Sequence, residues 1–440
     1  MCLTIPAQIT RLKNKFEAEI KSLAGKRVIQ IGALPNLKIG DWILAIGDKA
    51  FKKIEPQEAT EIIELFSSSL VKNKSGLSPR FQKILEAAKI RDLTKNEIIY
   101  LLKTKDKEKE FLFSEANLTR QAWLKDFICI HGIIEFSNYC QNDCLYCGLR
   151  LDNKKIRRYR LTIPEIVKTA KESVKQGYKL LVLQSGEDKF YSSEMLMEII
   201  KRIKDKCRVF LFMSVGERGY DCYKKMKEAG ASGVLFRFET ANPKLFKKLH
   251  PTGKKFQSRF EHLKFMKDLG YFIATGSLIG LPGQSIEDLA DDILTTKKWA
   301  NMVSSGPYVP ALNTPLEKIQ NSKFKSQNEK SKLKIYDNNE KVDLNLKMIA
   351  ILRLLRKDIR IPITTALETL AGEEGRKQAL WAGANSLMFN LTPAKYRPHY
   401  KIYDNKFYQK ENFWEKYGLF KYEESYKMLE ERMMSELEKK

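Results

Sequence analysis

The sequence predicts an α/β protein: a closed (β/α)8 barrel of the TIM type, preceded by a small N-terminal β-barrel of OB-like character. Three observations point there. Between about residues 128 and 388, short apolar runs alternate with amphipathic helical patterns, as parallel β/α units do. The chemically unusual residues fall just after those runs, where the loops of such a barrel carry its chemistry. The first 66 residues read instead as short β-prone stretches closed by one helical segment.

Taken in order, the chain opens Met1-Cys2-Leu3-Thr4-Ile5-Pro6, continues through Ile39-Gly40-Asp41-Trp42-Ile43-Leu44, and reaches a helical pattern from Pro56 to Phe66. Ser67 to Pro79, with Ser67-Ser68-Ser69 and Lys72-Asn73-Lys74-Ser75-Gly76, reads as a linker. Eight strands are expected near 128–136, 179–184, 208–214, 232–239, 271–278, 302–308, 360–364 and 385–388. Helices are expected at 164–176, 191–205, 218–229, 257–269, 285–300 and 371–382, which places the barrel domain at 80–405. A Lys/Asn/Ser-rich insert over 317–347 predicts a mobile surface excursion, and residues 406–440 a Lys/Glu-rich helical tail.

Composition bounds the function. A chain of 440 residues with 43% hydrophobic content can bury one large core and one small one. The net charge of +25 comes from lysine spread along the chain, so a nucleic-acid partner is not expected. No apolar run reaches the ~18 residues of a membrane span, and the first residues lack the pattern of a secretory signal. Seven cysteines without a disulfide-like framework fit a reducing, cytoplasmic setting, where Cys129, Cys207 and Cys222 pack in or beside apolar segments.

The sharpest motif is Cys140-Gln141-Asn142-Asp143-Cys144-Leu145-Tyr146-Cys147, a CxxxCxxC triplet after the first barrel strand. Three thiolates can hold three irons of a [4Fe-4S] cubane and leave the fourth open to chelate the amino and carboxylate groups of S-adenosylmethionine. A zinc site would need a fourth Cys or His, and none stands in the motif. After the next strands come Ser185-Gly186-Glu187-Asp188 and Ser214-Val215-Gly216-Glu217-Arg218. Arg237 and Glu239, two apart on the fourth strand, would face one side, either as grips for a zwitterion or as a structural ion pair. Gly280-Leu281-Pro282-Gly283 forms a turn, and Thr364 and Thr365 close the seventh strand.

Together with His131 to Arg150, Arg158-Tyr159-Arg160, Arg237 to Pro243 and Asn390 to Tyr400, these segments resemble the [FeFe]-hydrogenase maturase family HydE over about 80–405. The triplet alone is shared by all radical S-adenosylmethionine enzymes, biotin synthases and methylornithine synthases among them. The resemblance implies a radical SAM barrel in which Cys140, Cys144 and Cys147 hold the cluster. It further implies that Tyr146, Ser185, Glu187, Ser214, Glu239 and Arg259 contact S-adenosylmethionine, and that Arg237, Thr364, Thr365, Tyr400 and Tyr403 line the substrate cavity. The implied substrate is an iron centre bearing carbon monoxide, cyanide and cysteine, made by a partner maturation enzyme; an external electron donor is implied as well. Phe389 stands where the family has proline, and the absence of cysteine after Cys222 implies no accessory C-terminal cluster.

Residues 1–66 resemble HypC, a small chaperone of [NiFe]-hydrogenase maturation that carries iron on its N-terminal cysteine. That likeness implies Cys2 as a ligand for an organometallic iron unit; Ile46 stands where a histidine is expected. A tether would raise the local concentration of carrier at the enzyme. The rival expectations are a biotin-synthase-like or methylornithine-synthase-like enzyme, a non-enzymatic iron–sulfur scaffold, and an RNA-binding N-terminal module.

Overall fold

A closed five-stranded sheet and a nearly closed eight-stranded one follow one another along the chain. This computed structural model describes residues 5–408, apart from 23–24, 33, 47–48, 65–73, 125–127, 253–254 and 323–333. The first sheet comprises β1 (Ile5–Leu12), β2 (Glu17–Ser22), β3 (Gly25–Gln30), β4 (Trp42–Ile46) and β5 (Lys49–Ile54), in the ring order β1-β2-β3-β5-β4. Strand alternation turns Ala7, Ile9, Ala18, Ile20, Ile29 and Ile43 into its core. Helix α1 (Pro56–Glu64) ends this expected N-terminal β-barrel. Cys2 and most of the expected linker lie outside the described residues.

Three helices that periodicity did not single out come next: α2 (Pro79–Ile90), α3 (Lys95–Lys103) and α4 (Asp106–Leu124). Local chemistry explains the first two starts. Ser78 accepts from the Phe81 N–H, and Thr94 with Glu97 forms a capping box.

The second sheet is parallel. Its strands are β6 (Cys129–Ser137), β7 (Leu180–Ser185), β8 (Phe210–Ser214), β9 (Gly233–Leu235), β10 (Phe272–Thr275), β12 (Met302–Val303), β14 (Pro362–Ile363) and β15 (Ser386–Asn390). They run in the order β12-β10-β9-β8-β7-β6-β15-β14. A parallel bridge from Met302 to Arg360, with Val303 N–H donating to the Arg360 carbonyl at 2.8 Å, brings the two ends together. A short pair, β11 (Leu278–Ile279) with β13 (Gly306–Pro307), extends the wall beyond β10 and β12.

Around the ring lie α5 (Ile163–Lys175), α6 (Ser193–Lys204), α7 (Tyr220–Glu228), α8 (Pro243–Leu249), α9 (Phe256–Asp268), α10 (Ile286–Trp299), α11 (Pro315–Ser322), α12 (Asn338–Leu355) and α13 (Thr365–Trp381). Helix α4 packs on α12. Inside the ring, Cys129, Val182, Phe212, Phe272, Ala274 and Met302 form an apolar plug. Buried beside Cys129, His131 is pushed down to about 3 by desolvation and then by Arg360, and so is neutral.

Three expectations need correction. Strand β9 stops at Leu235 rather than near 239: the ladder is interrupted, and Glu239, at φ +70°, pairs again only in an isolated parallel bridge with Ser277. Helix α13 begins at Thr365, not 371; Gly372, at φ 60° and ψ −150°, breaks it and hides its first half from a periodicity reading. The polar stretch 317–347 is not one surface excursion. Its two ends belong to α11 and α12, with Lys341 and Lys347 buried, and only 323–333 lie outside the described residues. Among the described residues, no helix is long and apolar enough to cross a membrane.

Candidate active site

The cysteine loop leaves the C-terminal end of β6 and is held by its neighbours' backbone. Asn138 donates to the carbonyls of Arg157 (2.8 Å) and His399 (2.7 Å) and accepts from the Tyr159 N–H (2.7 Å). Gln141 N–H donates to Glu187 O, Leu145 N–H to Leu249 O and Gly148 N–H to Ile402 O, at 3.0, 2.9 and 2.9 Å. Gly186 permits a close approach: a Cβ there would stand 2.2 Å from the Tyr139 carbonyl and 2.8 Å from Cys140 Cβ.

The loop thereby places the half-buried Cys140, Cys144 and Cys147 on one cavity of about 310 Å³ at the barrel mouth. Burial pushes the Cys147 thiol up, and Cys144 and Cys140 push it further. Three thiolates here therefore require a strongly positive partner. Among the described residues no three His, Cys, Asp or Glu side chains are gathered for a single ion.

The opposite wall carries charge that is incompletely bonded. Glu187 accepts from the Glu217 N–H at 2.8 Å and from Gln141 Nε2 at 3.2 Å. It can do so because position 216 is glycine, with φ +70° and a virtual Cβ only 2.1 Å from Glu187 Cγ. Arg237 donates to the Ser277 carbonyl at 2.7 Å, while its Nε stands 3.4 Å from Glu239 Oε2. Arg259, 7% exposed, has its Nε 3.2 Å from Glu217 Oε1. Neither contact reaches hydrogen-bond geometry at Arg237 Nε, Glu239 Oε2 or Arg259 Nε, although all three atoms are buried. The expected pairing of Arg237 with Glu239 is thus present, but it arises from the φ +70° turn and not from strand alternation.

Ser185 and Ser214, at the ends of β7 and β8, line the same cavity, as do Thr364, Thr365 and Tyr403. Thr364 also caps α13 through the Leu367 N–H. Tyr146 lines the cavity with its hydroxyl 3.1 Å from His250 Nε2, and burial raises its phenol. Tyr400 does not line it. Its buried ring stands behind, its hydroxyl accepting from Gln184 Nε2 at 3.2 Å, and Gln184 lines the cavity in its place.

The Radical SAM superfamily profile matches residues 134–295, and the HupF/HypC family profile matches residues 1–66. The "[FeFe] hydrogenase maturase subunit HydE" of Thermotoga maritima is 42% identical over 327 residues, covering 74% of this chain and 88% of that protein. This chain belongs to the HydE family. It is a radical SAM enzyme of hydrogenase-maturase type with a HypC-like N-terminal domain. A 3-methylornithine synthase of Methanosarcina acetivorans is 30% identical, covering 69% of this chain and 80% of that protein. Among solved structures, methylornithine synthase (PylB) superposes with a TM-score of 0.59 at 28% identity, covering 70% of this chain and 85% of that one. The maturase HydG, at 18% identity and a TM-score of 0.65 over 87% of this chain and 84% of its own, shows the shared fold alone.

Membership of this HydE-type radical SAM family implies a [4Fe-4S] cluster and S-adenosylmethionine. The residues present fit both groups: three soft thiol donors, with burial raising the proton affinity of Cys147, facing buried Arg and Glu atoms that lack hydrogen bonds.

Sequence reasoning missed a second charged pair. Glu135 of β6 binds Lys406 and accepts from Asn390 Nδ2 at 2.8 Å, and Glu135, Lys406 and Tyr308 all line the cavity. A glutamate within a wholly buried strand was the available signal. Nothing in the sequence marked Lys406, which had been grouped with the tail; of 406–440, only Lys406 to Tyr408 are described.

Proposed function

We propose that this HydE-family chain transforms an iron centre bearing carbon monoxide, cyanide and cysteine during assembly of the di-iron unit of [FeFe]-hydrogenase. The observation that carries the reading is the convergence, on one cavity, of three cysteine thiols with Arg237, Glu239 and Arg259, each of which has a buried polar atom without a hydrogen bond. Cys140, Cys144 and Cys147 would ligate the cluster. When bound, that cluster supplies one electron to S-adenosylmethionine and thereby a 5'-deoxyadenosyl radical.

The chain's own residues do the rest. Tyr146, Ser185, Glu187, Ser214, Glu239 and Arg259 hold the S-adenosylmethionine, with Glu239 suited to its ammonium group. Arg237 offers a guanidinium to the carboxylate of an iron-bound cysteine, beside the hydroxyls of Thr364, Thr365 and Tyr403. Tyr400 acts through Gln184. The closed barrel keeps water and other hydrogen donors away from a carbon radical.

In this reading Cys2 of the HypC-like domain receives or delivers the organometallic unit, and the partners are other maturation proteins and an external electron donor. Two experiments test it. Anaerobic incubation with an iron–carbonyl–cyanide–cysteine complex should make 5'-deoxyadenosine formation substrate-dependent and shift the infrared CO and CN bands; unchanged bands would refute the substrate. Cys2→Ala should lose hydrogenase activation while cleaving S-adenosylmethionine normally, and full activation by that variant would sink the carrier role.

The 30% identity to 3-methylornithine synthase favours a second reading, in which the same Arg237 and Glu239 grip a free amino acid. Formation of 3-methylornithine from an amino-acid substrate would select it.

A further inference from the structure

We propose that the basic hairpin Arg150 to Arg160, with Lys189 beside it, is the docking surface for a small acidic one-electron carrier protein. The inference rests on the radical reading above, in which an electron must enter from outside: the carrier loses one electron and the cluster gains it. It adds where on this chain the carrier binds.

The segment Arg150-Leu-Asp-Asn-Lys-Lys-Ile-Arg-Arg-Tyr-Arg160 directly follows the cysteine triplet and carries six basic residues in eleven against one acid. Three of them are committed internally. Arg150 lies 3.5 Å from Asp143 and 3.6 Å from Asp152. Arg158 closes the hairpin, donating to the carbonyls of Leu149 (3.0 Å), Arg150 (2.7 Å) and Asn153 (3.3 Å). Arg160 binds both oxygens of Asp188 at 2.7 and 2.9 Å, with its guanidinium 3.6 Å from the Tyr139 ring centre.

Lys154, Lys155, Arg157 and Lys189 are left exposed, and none has a carboxylate partner among the described residues. Lys154 only reaches the Leu151 carbonyl at 3.0 Å, and the hairpin's one acid, Asp152, faces Arg150.

The hairpin is clasped to the loop that carries the thiols. Leu151 N–H donates to Asn142 O at 2.8 Å, Asp152 N–H to Asp143 Oδ1 at 2.8 Å and Arg150 N–H to Cys147 O at 3.1 Å. Exposed, unneutralised cations thus sit on a segment hydrogen-bonded directly to the cysteine loop. Redox encounters are small and brief, and complementary surface charge governs their rate and partner choice more than buried area does. A single-stranded RNA is the other polyanion this patch could attract. The position over the cysteine loop favours the electron carrier, since RNA binding gains nothing from nearness to the thiols.

The test compares the reconstituted holoenzyme with its Lys154→Glu/Lys155→Glu/Arg157→Glu variant, using an acidic ferredoxin as probe. Calorimetric Kd is measured against ionic strength, and cluster reduction is followed with reduced ferredoxin and, separately, with titanium(III) citrate. We expect the ferredoxin Kd to weaken at low salt by about tenfold or more, with a flatter salt dependence. Ferredoxin-driven reduction should slow in parallel, while reduction by titanium(III) stays at the parent rate.

Equal ferredoxin affinity in parent and variant would overturn the proposal. So would an RNA oligomer that binds the parent more tightly than ferredoxin and is lost in the variant. Should the triple reversal not fold, Lys155→Ala/Arg157→Ala must still weaken ferredoxin binding by roughly twofold to threefold; no change there overturns the proposal equally. Failure of the radical reading would look different: the parent would make no 5'-deoxyadenosine with either reductant.

Discussion

Two groups of arginine–carboxylate contacts flank the cysteine loop, and they differ in how completely they are bonded. Behind the loop, Asp188 receives both nitrogens of Arg160, the Ser137 hydroxyl at 2.7 Å and the Phe190 N–H at 3.1 Å. Burial pushes this carboxyl up, yet Arg160 and the other donors hold it below the usual carboxylate range. Lining the cavity, Arg237 stops 3.4 Å from Glu239, and neither Arg237 Nε, Glu239 Oε2 nor Arg259 Nε has a hydrogen bond. A saturated network fixes a backbone, whereas charged atoms left short of partners at a cavity wall are poised for a ligand. The two groups therefore separate scaffold from site.

The largest expected effect breaks the scaffold side. Asp188→Ala leaves Arg160 without its bidentate partner and should lower unfolding stability by about 3 kcal/mol, read from chemical denaturation. Because the folded pKa is depressed, the parent's contribution is present above about pH 4 and fades on acidification, so the gap between parent and variant should shrink in acid.

Lys341 is an intermediate case. It is buried against the cavity wall, its amine lies 5.0 Å from the Tyr308 ring centre, and neutral Gln320 receives it at 3.3 Å. Burial pulls its pKa from 10.5 to about 8, against the pull of Asp337 and Glu340. A charged amine thus costs stability below about pH 8, and the cost disappears as pH rises toward the unfolded value near 10.4. Lys341→Met should stabilise by on the order of 2–3 kcal/mol at pH 7, with the gain closing between about pH 8 and 10.4 in pH-dependent melts.

Glu239→Gln sharpens the site side. It should leave stability within about 0.5 kcal/mol and weaken S-adenosylmethionine binding by about 2 kcal/mol, roughly 30-fold, in equilibrium titration. Comparable destabilisation by Asp188→Ala and Glu239→Gln would erase the distinction between the two groups. The smallest effect is Tyr146→Phe, which removes the hydroxyl contact to His250 and should cost about 1 kcal/mol in thermal unfolding.

What could be read in advance follows from how local each signal is. The cysteine triplet, Ser185, Glu187 and Ser214 sit at strand ends, so a periodicity reading sufficed to bring them to one mouth. Arg237 and Glu239 both line the cavity, but strand alternation cannot foresee a left-handed residue at 239. Helix α13 was half missed because Gly372 interrupts its pattern, and Tyr400 was placed one layer too far forward because sequence does not show that Gln184 intervenes. Lys406 reaches Glu135 across 271 positions of chain, and no window of sequence contains that contact. The basic hairpin escaped notice because net charge averages over the chain, whereas function depends on which cations remain unneutralised after folding.

The most direct test of the central claim is anaerobic reconstitution with iron and sulfide, then reduction in the presence of S-adenosylmethionine and chromatographic detection of 5'-deoxyadenosine, beside Cys144→Ala. The account predicts product in the parent and none in the variant, which should retain the parent's far-ultraviolet dichroism. A parent that binds its cluster and yields no 5'-deoxyadenosine, even with an iron–carbonyl–cyanide–cysteine complex present, would contradict it.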